Sequence, residues 1–88
     1  MGNRPTVVIA DLSKDFLVYM STLFSRMNFE VVPIDDIAGS YDLFRIIQPH
    51  LIMLGCEEGQ CVVRETLEAL HQDNLLSKVP VIMVGSDE

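Results

Sequence analysis

The chain has 88 residues, 49% apolar and 22% charged, with a formal net charge of −7 and a positive mean hydropathy. That size fits one domain near the lower limit for burying a sufficient core, and the apolar content excludes disorder. The negative balance opposes nucleic-acid backbones and anionic membranes, and a charged residue interrupts every apolar run before it could span a bilayer.

The N-terminal residues lead straight into a strand-like run, with no secretory signal ahead of it, so a cytoplasmic location is expected. Gly2 and Thr6 fit a myristoylation pattern, but the strand beginning at Thr6 competes with that reading. Thr6–Ala10, TVVIA, is continuously apolar, as in a strand buried on both faces. Ser13 is placed to cap a following helix, in which Phe16, Met20, Leu23, Phe24 and Met27 recur at helical spacing as one core stripe. Asn28 tolerates the left-handed conformation that ends such a helix.

Residues 29–33 supply a second strand, and the loop at 35–39 leads to a helix over Ser40–Ile47 that can share Tyr41, Phe44 and Ile47 on one face. Pro49 stops that helix ahead of a third strand at 51–54. A third helix over about 60–72 turns Val63, Leu67 and Leu70 inward, Leu75 to Lys78 form a turn, and a fourth strand covers 79–84. Strands separated by helices imply right-handed βαβ crossovers, a parallel sheet and the order β-α-β-α-β-α-β in a single domain over residues 1–88.

Cys56 and Cys61 are the only cysteines, and they lack Cys-x-x-Cys spacing. His50 and His71, expected in a strand and near a helix end, do not complete a zinc set with them. Free thiols, no metal and no cofactor are expected. No Ser, Cys or His stands in a nucleophile constellation, and the first strand–helix turn has no glycine-rich phosphate loop, so an enzyme is not expected.

Two longer stretches are more specific. VVIADLSKDF, followed by an amphipathic helix and NFEVV, is similar to the opening of the receiver domains of bacterial two-component response regulators. So is QPHLIML followed by a polar loop, a helix and VPVIMV, and the resemblance covers essentially the whole chain. It implies a three-layer, flavodoxin-like α/β fold with strand order 2-1-3-4, lacking the last strand and helices, with its site at the carboxyl ends of the central strands. It also implies the N-terminal part, or a fragment, of a longer regulatory protein.

Receiver chemistry neutralises a transferring phosphoryl group with Mg²⁺ and fixed donors. The resemblance places the first acid at Asp11, but Leu12 stands where the second would be. Gly55 stands in place of the phosphoacceptor aspartate, and Gly85 in place of the hydroxyl residue, with Ser86 one position late. The phosphate-contacting lysine has no counterpart. The site reads as degenerate, unable to accept a phosphoryl group or cage Mg²⁺. Glu57 and Glu58 are either solvated loop charges or carboxylates turned into the vacated site, and Asp11 is either a residual functional group or a hydrogen-bonding turn residue. Gly55 itself could serve a close backbone approach. Two rival functions follow: phosphorylation of Asp11 or Glu57 instead, or small-ligand sensing in the vacated pocket.

With no fifth strand, Val81, Ile82, Met83 and Val84 would form an apolar sheet edge without protective charges, beside a sheet face that the first helix covers only in part. The expected function is protein–protein interaction through that edge, with a second copy in antiparallel, two-fold pairing or with a neighbouring domain.

Overall fold

The computed structural model describes residues 4–36, 40–56 and 61–85. Its elements are β1 (Thr6–Ala10), α1 (Lys14–Arg26), β2 (Glu30–Ile34), α2 (Ser40–Ile47), β3 (Leu51–Cys56), α3 (Cys61–Gln72) and β4 (Val81–Gly85). All strand pairs are parallel, in the order β2-β1-β3-β4. The sheet is the one expected, with three strand boundaries moved. The second strand runs one residue later than 29–33. The third continues through Gly55 and Cys56 because these pair with Val84 and Gly85. The fourth begins at Val81, since Pro80 has no N–H to give and contributes only its carbonyl, accepting from Ile52 N at 3.0 Å.

Period-two alternation divides the core in two. Val8, Ala10, Ile52 and Leu54 face Phe44, Leu70 and Leu76 on the α2/α3 side. Val7, Ile9 and Met53 face Leu17 and Phe24 on the α1 side. Tyr41 and Ile47 pack beside Phe44 as their spacing predicts. Leu70 is buried and Leu67 half-buried, while the Val63 side chain lies outside the described residues.

The α1 stripe differs from its expected form. It centres on Leu17 and Phe24, with Phe16 and Met20 half-buried at its edge, and Met27 is 60% exposed. Met27 is the C-cap, and the chain is already turning away there. Asn28 N donates to Ser25 O and Phe29 N to Phe24 O, each at 3.0 Å, with Asn28 at φ 70°. This is a Schellman stop, and its apolar contact is the edge-to-face pair Phe24–Phe29, with centroids 5.2 Å apart. The expected role of Asn28 is met. At the other end Ser13 Oγ accepts from Phe16 N at 3.3 Å, the expected N-cap.

His50 stands in the bend just before β3 rather than within a strand. Its N–H donates to Thr6 O at 2.8 Å and its Nδ1 accepts from Thr6 N at 3.0 Å, tying the starts of β1 and β3 together. The 75–78 segment is more than a turn, because Leu76 is only 1% exposed and belongs to the core. Asp73 holds this segment: its Oδ1 accepts from Leu75 N at 2.8 Å and from Leu76 N at 3.3 Å. Its Oδ2 accepts from Tyr41 OH at 2.6 Å and pairs with Arg45 Nε at 3.1 Å, joining α2 to the turn after α3.

The Tyr41 hydroxyl, with help from the Leu75 N–H and Arg45, holds the Asp73 carboxyl below its ordinary 3.8. The same hydrogen bond raises Tyr41 above 10.0. A lowered carboxylate contributes stability that is present above the unfolded value and lost as pH falls through the folded one. Tyr41 contributes the converse, present below 10.0 and lost as pH rises beyond it. Urea midpoints should therefore fall below about pH 4, the ordinary carboxylate range. The gap between the native chain and Asp73→Asn should narrow there. A gap that stays constant into acid would contradict this assignment.

Candidate functional site

The carboxyl ends of β1 and β3 lie side by side, because Ala10 pairs with Leu54 in the β1–β3 register. Just beyond these partners stand Asp11 and Gly55. Asp11 is buried, and its backbone N–H donates to Ile34 O at 3.0 Å, anchoring it to β2. Its Oδ1 accepts from Ser13 N at 2.8 Å, which fixes the carboxylate across the turn into α1. The other oxygen, Oδ2, lies beside Gly55. A Cβ built on Gly55 would fall on the Asp11 carboxylate and lie 3.0 Å from Asp11 Cβ. Any larger residue at position 55 therefore collides with a carboxylate that is already hydrogen-bonded in place. Both structural roles weighed from the sequence are present: Asp11 accepts a backbone hydrogen bond, and Gly55 permits a close approach.

The remaining site positions do not converge. Leu12 is 49% exposed and presents an apolar side chain where a second acid would be needed. Gly85 continues β4 opposite Cys56, one register step beyond the Gly55–Val84 pair. Glu57, Glu58 and Ser86 lie outside the described residues. Asp11 is the carboxylate at the joined ends of β1 and β3, and one of its oxygens is taken by Ser13, while Asp35 and Asp36 follow the end of β2. A hard divalent cation wants about six oxygens, and Mg²⁺ usually draws one or two carboxylates from the protein. These residues do not fit it. Among the described residues no cluster of three His, Cys, Asp or Glu could hold a metal, and no helix is long and apolar enough to cross a membrane.

At the sheet edge, Val81 and Val84 are half-buried, while Ile82 and Met83 are 42% and 43% exposed. Val81 packs against the α2/α3 core and Val84 against the α1 core. Helix α1 lies over β1 and β2, the half of the sheet away from β4. Ile82, which shares the α1 side with Val84, is accordingly left exposed. The sequence pattern anticipates this uncovered apolar margin. It gives no hint of the Tyr41–Asp73–Arg45 cluster, although an Asp-Asn pair after a helix is a turn signal.

No family model matches the sequence, and no curated protein does. Solved structures do match. The N-terminal domain of a response regulator receiver protein from Methanoculleus marisnigri JR1 superposes with a TM-score of 0.80 at 20% identity, covering 90% of this chain. The chain has the receiver fold. It spans 64% of the length of that structure. The chemotaxis response regulator CheY4 of Vibrio cholerae gives a TM-score of 0.83 at 15% identity, over 92% of this chain and 68% of its own. The pseudo-receiver domain of the CikA protein gives 0.72 at 15% identity, over 96% of this chain and 71% of its own. The likeness covers at least nine-tenths of this chain in each case, and it is a likeness of fold.

Proposed function

We propose that this chain is a phosphorylation-incompetent receiver module that acts by protein–protein interaction in a cytoplasmic regulatory protein, without enzymatic activity of its own. One observation carries the reading: the position that would present a phosphoacceptor has no side chain, and the Asp11 carboxylate lies in the space that one would enter. Leu12 in place of a second acid supports it, as does the likeness to a pseudo-receiver domain. The interaction surface in this reading is the β4 margin, open to a second copy or a neighbouring domain.

Intact mass after incubation with a small phosphodonor and Mg²⁺ tests it. The expected result is no mass gain. A gain of one phosphoryl group, lost on Asp11→Asn, would establish the rival reading in which a non-standard acid is the acceptor.

A further inference from the structure

Away from β4, the described sheet has one other edge, and it is blunted. In β2, Glu30 N donates to Pro5 O and Ile34 O accepts from Asp11 N, so Val31 and Pro33 face outward. Proline has no N–H to give, which leaves Val31 as the one outward donor of that strand. The outer face of α1 offers more. It lies opposite the sheet, because the helix turns Leu17 and Phe24 onto the strands, so its exposure does not depend on how the sheet continues.

Asp15, Tyr19, Thr22 and Arg26 follow one another on that face at steps of four, three and four residues, the spacing of a coiled-coil seam. Val18 and Leu23 flank the seam, one on each side, and these six residues line a shallow groove of about 450 Å³. Val18 and Tyr19 are 67% and 63% exposed, an apolar centre open to water. Thr22 Oγ1 donates to Val18 O at 2.9 Å, so its proton is satisfied within the helix and a dry contact strands no donor there. Asp15 and Arg26, at the two ends of the seam, are exposed and form no ion pair among the described residues. The helix carries two cations, Lys14 and Arg26, against one acid, in a chain whose formal net charge is −7. Two copies of so acidic a chain meet with less repulsion through this helix than through a surface of average charge.

We infer that α1 pairs with α1 of a second copy of this chain, antiparallel, across a two-fold axis midway between Tyr19 and Thr22. The inference adds a surface to the interaction reading above and names its partner. The seam is its own complement in this orientation: Asp15 of each copy meets Arg26 of the other, and Tyr19 meets Thr22. Parallel apposition instead sets Asp15 on Asp15 and Arg26 on Arg26. The two ion pairs stand roughly 16 Å apart along the helix, with the apolar centre between them. One helix per partner buries less than the roughly 1,200 Å² of stable complexes, so the pair is weak and reversible.

Two charge reversals, Asp15→Arg and Arg26→Asp, test it by sedimentation velocity from about 10 μM to about 1 mM, where weak complexes dissociate. The parent chain should dimerise within that range. Each variant alone sets like charges together at both ends of the seam, and its dissociation constant should rise by at least about tenfold. An equimolar mixture of the two variants opposes unlike charges again and should dimerise at least as well as the parent. So should the double variant, whose net charge equals the parent's. Tyr19→Glu leaves both seam ends intact and should abolish pairing through the centre. All these positions are exposed, and circular dichroism should be unchanged by each replacement. A parent that stays monomeric throughout the range overturns the inference. Dimerisation that survives the single reversals runs through another surface, the β4 margin included, and overturns it equally. Neither result touches phosphorylation incompetence, which the mass measurement reads separately.

Discussion

A Gly55→Asp chain incubated with a small phosphodonor and Mg²⁺ is expected to gain no phosphoryl mass and to unfold at a lower urea concentration than the parent. Replacing the missing acceptor looks like the obvious repair, but the Asp11 carboxylate already stands where its Cβ would go. Relief requires Asp11 to swing away, giving up the hydrogen bond from Ser13 N and loosening the turn into α1. Overpacking of this kind costs about 1–3 kcal/mol, and a second carboxylate beside the first adds like-charge repulsion. The geometric part is isolated by Gly55→Ala. Its cost should shrink when Asp11 is also replaced by alanine, with a coupling of about 0.5–3 kcal/mol for such contacting residues. Equal costs of Gly55→Ala in the two backgrounds would show that Asp11 is not what keeps position 55 bare.

Phe44→Ala is expected to be the most damaging single truncation on the α2/α3 side. Phe44 is fully buried among Val8, Ala10, Ile34, Ile52, Leu54, Leu70 and Leu76, so removing its ring opens a cavity in the centre of that core. Such changes cost about 3–5 kcal/mol, against a total stability of about 5–15 kcal/mol for small domains. At the low end of that range the variant would be largely unfolded. Ile46, two residues along the same helix, is 77% exposed, and Ile46→Ala should stay within about 0.5 kcal/mol. Denaturant midpoints compare the two directly. Similar losses would mean that α2 does not pack through Phe44.

Much of this arrangement is legible in the sequence because its signals are local and periodic. The continuous apolar run of β1, the Ser13 cap, the Asn28 stop and the spacing of Tyr41, Phe44 and Ile47 each act within a few residues, and each is met. The misses depend on tertiary partners. Leu76 reads as part of a polar turn because its burial is arranged by Asp73, whose own orientation depends on Tyr41 and Arg45, some thirty residues earlier. Met27 fits the helical stripe, yet the helix ends there and turns it outward. The third strand runs past position 54 because Gly55 and Cys56 find partners in β4, which no local pattern announces. At the site, the residue types at positions 11, 12 and 55 (an acid, a leucine and a glycine) are legible before any fold is known. Only the folded chain shows that the Asp11 carboxylate lies where a Cβ on Gly55 would stand.

The proline on β2 has a consequence for how far any association can go. A sheet with two receptive edges adds chains without limit, and that is how strand pairing turns into fibres. Here Pro33, on the side of β2 turned away from β1, has no N–H to give, so that edge of the described sheet is a poor template for another strand. Growth of the sheet by strand addition is thereby discouraged on the β2 side. Pro33→Val restores that donor, so the variant should aggregate more readily than the parent when followed by light scattering.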